Sequence, residues 1–353
     1  SFMTHYVGMK STNGQSGFID FRSDTVTKPS SEMKQAAMDC VLGDDVYGED
    51  PTVNELEEKM ATLLEKEAAL FLPTGSMSNL VSLLAHCGRG EEILVGDKYH
   101  IYRDEANGAS VLGGIAMDPI KTDVFGALDI HDIIKAIKPN DSHCSITKLL
   151  CLENTVAGCV QNQKDIDIIA TTAKKSDLAI HLDGARLFNA AVAQDVSIST
   201  LVKNVDTVSI CLSKGLGAPA GSVMVGPKKL VNYARRQRKL LGGGMRQIGI
   251  IAACCLYGIE HNVKQLKHDH IKTKRLSSEL SKISQLGINL DMVQTNMMFI
   301  HPDRDEAEAL STFLYERKIL IGGQNSPRMV VHLDISEDDI ESTISAFNEF
   351  YQK

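Results

Sequence analysis

Four short stretches carry residue types and spacings that can do chemistry. Lys214 closes the apolar run 208–212 and sits between Ser213 and Gly215-Leu216-Gly217. A lysine at the end of a buried strand shifts its pKa readily and forms imines with carbonyl compounds; the plainer reading is a solvated surface charge. Asp183, in His181-Leu182-Asp183-Gly184-Ala185-Arg186, follows the apolar run 178–180. An acid there points into the crevice where α/β proteins bind ligands, unless it only caps a helix or pairs with Arg186. The turn Pro73-Thr74-Gly75-Ser76-Met77-Ser78-Asn79 is small enough for backbone N–H groups at a helix start to approach an anion. It is equally an ordinary strand–helix joint, and it lacks the glycines and Gly-Lys of nucleotide loops. His100, in Lys98-Tyr99-His100-Ile101-Tyr102, offers either a flat ring for an aromatic ligand or a purely structural histidine.

These positions need a frame. From residue 18 onward short apolar runs alternate with amphipathic helical patterns, the mark of an α/β fold with a mostly parallel sheet covered by helices. Strands are expected at 68–72, 92–95, 149–152, 178–182, 207–212 and 222–225, nearly all apolar as strands buried on both faces should be. A helix is expected over 51–66, capped by Asp50 with Pro51 in its first turn, with Val53, Leu56, Met60, Leu63 and Leu64 on one face. Others are expected at 77–87 and 166–175, and one or two over 245–283. The pattern then changes to strand 295–301, helix 305–317, strand 329–333 and helix 337–351, a small α+β unit. The expected organisation is a flexible segment 1–17, a large domain 18–285 opened by an arm 18–50, and a small C-terminal domain 286–353.

Composition narrows the function. The 353 residues hold 37 Lys+Arg against 45 Asp+Glu, a net charge of −8. That balance gives no basic footprint for nucleic acid and no polybasic patch for a membrane surface. Hydrophobic residues are 43% of the chain, enough for a sizeable core. The eight cysteines form no C-x-x-C and no His/Cys ladder, so neither a disulfide framework nor a metal site is expected, and a reducing cytoplasm is the natural setting. The most apolar segment, 248–259, falls well short of the roughly 20 residues of a membrane span. Residues 1–17 show no hydrophobic leader.

In chain order, a phosphate-sized turn, a flat ring, an acid and a lysine is the order of a fold-type-I pyridoxal-5'-phosphate enzyme. The phosphate needs a helix N-terminus, the pyridine nitrogen a carboxylate that keeps it protonated, the aldehyde an amine, and the ring face a flat neighbour. Two N-terminal segments then resemble the signatures of low-specificity L-threonine aldolases: Asp20-Phe21-Arg22-Ser23-Asp24-Thr25-Val26-Thr27-Lys28-Pro29 and Gly43-Asp44-Asp45-Val46-Tyr47-Gly48-Glu49-Asp50-Pro51. The 181–186 and 212–217 segments and Leu241-Gly242-Gly243-Gly244-Met245-Arg246-Gln247 are similar to that family too. The resemblance runs from about residue 18 to the C-terminus and is strongest up to 253.

The resemblance implies roles. Lys214 would bind the cofactor's aldehyde, Asp183 would pair with the ring nitrogen, and His100 would stack on the ring and relay protons. Gly75 and Ser76 would cradle the phosphate, with Arg246 reaching it. Ser23, Arg186 and Arg328 would hold the substrate carboxylate, since an arginine fork meets a carboxylate with two parallel hydrogen bonds. Arg186 also counts with the cofactor contacts, and Tyr47 is a loop residue donated across a dimer interface. The implied activity is cleavage of L-threonine or L-allo-threonine to glycine and an aldehyde, in a homo-oligomer built as a dimer of dimers. A β-eliminating lyase or racemase of the same fold is the alternative. Two positions depart from the family pattern: Val156 stands where a histidine usually follows Glu153-Asn154-Thr155, and Asp104 where a tyrosine often follows His100 by four residues.

Overall fold

A computed structural model describes residues 9–323 and 327–352. Its strands, in chain order, are β1 (Ile19–Asp20), β2 (Ala68–Leu72), β3 (Glu91–Gly96), β4 (Ala116–Ile120), β5 (Ile146–Glu153), β6 (Ala179–Asp183), β7 (Thr207–Cys211), β8 (Ser222–Gly226), β9 (Met297–Phe299), β10 (Ile319–Leu320) and β11 (Arg328–Val330). Seven of them form one sheet in the order β2-β8-β7-β6-β5-β3-β4. The run from β4 through β7 is parallel, and β8 lies antiparallel to both its neighbours. The expected mostly parallel sheet is therefore present.

The apolar strands are where they are because both faces are covered. Every residue of β7 and β8 is buried, and a continuous core runs from Val53 and Leu56 through Ile93, Leu150, Ile180 and Ile210 to Cys255 and Leu266. The helix Pro51–Leu63 starts as its sequence demands: Asp50 accepts from the N–H groups of Thr52 and Val53, and Pro51 takes the first turn. The stretch expected as one or two helices is Gly249–Tyr257, a wide turn Gly258–Asn262 and Leu266–Leu280.

The second core draws on residues from both sides of position 286. Phe21, Leu276, Leu280, Met298, Ile300, Leu310, Met329 and Phe347 pack together. Leu276 and Leu280 come from the helix Leu266–Leu280, and Phe21 from the N-terminal arm. The arm's start is bound to this core because β1 pairs in parallel with β10. Burying a Phe side chain is worth about 1.5–3 kcal/mol, so the arm is fastened to the C-terminal part. Of the segment expected to be flexible, residues 1–8 lie outside the described residues. In the rest, the Lys10 carbonyl accepts from Arg22, Asn13 bonds to Tyr315, and Gln15 accepts from Lys318.

Candidate active site

The carboxyl ends of the parallel strands supply the floor of a cavity of about 260 Å³, lined by Thr74, Gly75, Ser76, Asn79, His100, Asp183, Ser209 and Lys214 among others. The sheet register places Glu153 opposite Asp183, and Asp183 opposite Ser209, so one row of polar residues crosses the ends of β5, β6 and β7. The helix Gly75–His86 enters over this row and is pinned to it by Ser78 Oγ donating to Ser209 Oγ at 2.8 Å.

The helix start is built for an anion. Thr74 caps it by accepting from the Met77 N–H at 3.2 Å. The N–H groups of Gly75 and Ser76 have no hydrogen-bond partner among the described residues, and orphan N–H groups at a helix N-terminus attract negative charge. Gly75 has to be glycine here, because a Cβ would lie 2.5 Å from Cys211 Sγ on β7.

Asp183 is buried, with Oδ1 accepting from the Ala185 N–H at 3.1 Å and Oδ2 from Asn79 Nδ2 at 3.0 Å. Lys214 lies three residues beyond the buried end of β7, partly exposed to the cavity, and its Nζ has no hydrogen-bond or ion-pair partner among the described residues. His100 starts a short helix whose first N–H donates to Glu153 Oε2 at 2.8 Å. Its Nδ1 lies 2.8 Å from Glu105 Oε1, and ligand-type atoms of His100, Glu105 and Asp183 all fall within 4.8 Å of one another. Burial works against charge on His100, but the bond to Glu105 and the charge of Asp183 outweigh it and hold its pKa above the usual imidazole value. Burial beside Asp183 pushes Glu153 well above the carboxylate range.

Against the sequence expectations, Lys214, His100, Asp183, Gly75 and Ser76 come together around one cavity. Ser23, Arg186 and Arg328 converge on the turn 22–24. Arg328 Nη2 donates to the Arg22 carbonyl at 3.1 Å, and Ser23 Oγ accepts from the Thr25 N–H at 3.2 Å. Arg186 also reaches this turn: its Nε and Nη2 bond both oxygens of Asp24 at 2.8 and 2.6 Å. Asp24 is fully buried. Burial alone would raise its pKa, but Arg186, Lys214 and Asn296 hold it far below the carboxylate range. Arg186 therefore anchors the turn that carries Ser23 through its Nε/Nη2 edge. Tyr47 and Arg246 stand outside the cavity lining, exposed and side by side, with the guanidinium 5.6 Å from the ring centroid. Val156 is buried against Gly126, where a Cβ would lie 2.4 Å from it, and does not line the cavity. Sequence reasoning missed Asp24, Asn79, Glu105 and Glu153. Three of these stood inside quoted motifs without a role; Glu105 carried only its spacing of five residues from His100.

An unpartnered amine, a buried acid, an anion-ready helix start and an imidazole around one recess define the site of a fold-type-I pyridoxal-phosphate protein, and the residues present fit that cofactor. The beta-eliminating lyase family matches residues 20–303. The low specificity L-threonine aldolase of Escherichia coli K12 is 43% identical over 332 residues, covering 94% of this chain and 99% of that one. Low-specificity L-threonine aldolase 1 of Arabidopsis thaliana is 41% identical over 342 residues, covering 94% and 96%. The solved threonine aldolase of Leishmania major shares the fold, with a TM-score of 0.79 at 19% identity over 94% of this chain and 99% of that one. The chain belongs to the low-specificity L-threonine aldolase family.

Proposed function

We infer that this protein is a pyridoxal-phosphate-dependent carbon–carbon lyase that cleaves L-threonine and L-allo-threonine to glycine and acetaldehyde. The observation that carries the reading is Lys214 Nζ, unpartnered at the end of a buried strand in the same cavity as the buried acid Asp183. Bound there, pyridoxal phosphate supplies an aldehyde that captures amines and a conjugated ring that stores the electron pair of a broken bond. Lys214 would hold the cofactor through its aldehyde. Asp183 keeps the ring nitrogen protonated, and Gly75 and Ser76 receive the phosphate. Ser23, Arg186 and Arg328 would take the substrate carboxylate and so orient the bond that breaks. His100 covers the ring and moves the hydroxyl proton; Val156, buried and without a polar atom, leaves that task to it.

The active oligomer is a dimer of dimers in which Tyr47 and Arg246 serve the neighbouring protomer's cavity, with Arg246 reaching the phosphate. Their exposure, with that of the apolar Met38, Val41, Leu42 and Leu240 a few residues away in the chain, supports this. The chain divides into a cofactor-binding part and a smaller part that takes over near residue 276. A cytoplasmic setting is supported by eight cysteines that are all free, and no helix among the described residues is long and apolar enough to cross a membrane. Product analysis of the cofactor-loaded protein with threonine, allo-threonine, phenylserine and serine tests the reading. Glycine with the matching aldehyde is expected from the first three. Ammonia and an oxo acid without glycine would instead establish β-elimination.

A further inference from the structure

Glu105 has no part in the chemistry above, yet it ties the His100 ring to Asn79 on the helix Gly75–His86. Its side chain is only 7% exposed. Its Oε1 meets His100 Nδ1 and Asn79 Nδ2, each at 2.8 Å. Proton positions follow by elimination. Asn79 Nδ2 also donates to Asp183 Oδ2 at 3.0 Å, so its two hydrogens serve two carboxylates and its Oδ1 is left to accept from His181 Nε2 at 3.0 Å. Burial pushes His181 down to about 3, so this ring is neutral with its one proton on Nε2. Its Nδ1 accepts from Thr207 Oγ1 at 2.9 Å. Flipping the Asn79 amide would set its oxygen against both carboxylates. The network runs one way, and at its end Glu105 Oε1 accepts from Asn79. Burial raises the Glu105 pKa against the pull of His100 and Asn79. In the short contact the imidazole, its own pKa raised by Glu105, is the partner to which we assign the proton. His100 then keeps its proton on Nδ1, while Nε2 has no hydrogen-bond partner among the described residues.

We propose that Glu105 is a positioning residue for the lyase reaction, fixing His100 in its Nδ1–H form so that Nε2 takes the proton of the substrate's β-hydroxyl group. The proposal rests on the lyase reading. In the step, the O–H bond breaks as Nε2–H forms, and the oxygen's electron pair becomes the second bond of the aldehyde carbonyl. The Cα–Cβ pair passes to the electron sink and returns to Cα with a proton, giving glycine. A carboxylate bonded to the far nitrogen both selects the tautomer and stabilises the imidazolium that forms. The titratable groups facing His100 are Glu105 on its own loop, Asp183 and Glu153 at the ends of β6 and β5, and Lys214 beyond β7. Of these, Glu105 alone meets a ring nitrogen.

The test compares wild type, Glu105→Gln, Glu105→Asp, His100→Phe and the double variant Glu105→Gln/His100→Phe, all as full-length protein. In Glu105→Gln the kcat for glycine release should fall about 10- to 100-fold, with KM within about twofold and the cofactor's absorbance unchanged. Because the base works unprotonated, losing the carboxylate lowers the His100 pKa and moves the acid limb of kcat about one pH unit lower. Glu105→Asp keeps the charge and should restore part of the rate. In the His100→Phe background, Glu105→Gln should cost less than about twofold. Nitrogen NMR of histidine-labelled, cofactor-free protein should show His100 protonated on Nδ1, with a pKa that drops in Glu105→Gln. An unmoved acid limb, an additive loss in the double variant, or an Nε2–H form of His100 in the wild type would each overturn the proposal, the last without needing any variant to fold. A wild type that makes no glycine would overturn the lyase reading and this proposal together; glycine from the wild type with an unmoved limb would overturn this proposal alone.

Discussion

Around Lys214, Asp183 and His100, each group is carried by a strand end or a buried hydrogen bond. Around Tyr47 and Arg246 the contacts are of another kind. Arg246 pairs with Asp44 at 3.0 Å and lies over the Tyr47 ring, which is 73% exposed. Beneath them, buried Arg238 and Asp45 form an ion pair at 2.9 Å, and the Asp45 N–H donates to the Arg246 carbonyl. Two charges are thus desolvated, at a cost of several kcal/mol each before their attraction repays it, to hold an exposed ledge in place. The groups that line the cavity are fixed by their own chain; the ledge is held rigid from below and left open above, as a surface that serves a second copy's cavity would be.

That contrast can be broken in four ways, taken from the largest effect down. Replacing Lys214 by Ala should bring glycine formation to background in a chain that still folds, measured by product assay and thermal melting. Phe21→Ala removes a fully buried side chain from the second core and should cost about 3–5 kcal/mol in denaturant unfolding. It should raise KM through Ser23 and Arg328 while the cofactor's absorbance persists. The buried His181 is held neutral down to about pH 3. Below an unfolded-state value near 6.5 the unfolded chain gains a proton that the folded one does not, so stability falls as pH drops. At pH 5 the loss is ~2 kcal/mol, and His181→Gln should flatten that slope in melts between pH 7 and 5. Smallest, Arg246→Ala should lower activity about tenfold, or ~1.4 kcal/mol. Mixing a Tyr47→Ala/Arg246→Ala protein with the Lys214→Ala protein should recover activity that neither has separately. No recovery would mean the ledge serves its own chain.

How much of this was legible depends on range. Lys214, Asp183 and the Gly75-Ser76 turn stand immediately after apolar runs, so local pattern announced both strand and site. The pair Arg186–Asp24 spans 162 residues and has no local signature, so the anchoring of the turn 22–24 could not be read from the motif around Arg186. Glu105 lies just before Ala106 and Asn107, both in left-handed backbone, in a stretch with neither helical nor strand period. Strand β4 escaped notice because Asp118 and Pro119 interrupt its apolar run, which an edge strand tolerates. Strand β1 is two residues long, too short for any period to appear.

The most direct test of the central claim is to load the protein with pyridoxal phosphate, reduce with borohydride, digest and locate the added mass. The account predicts the cofactor fixed to Lys214 and to no other lysine. A label on a different lysine, or none while the protein still makes glycine from threonine, would contradict it.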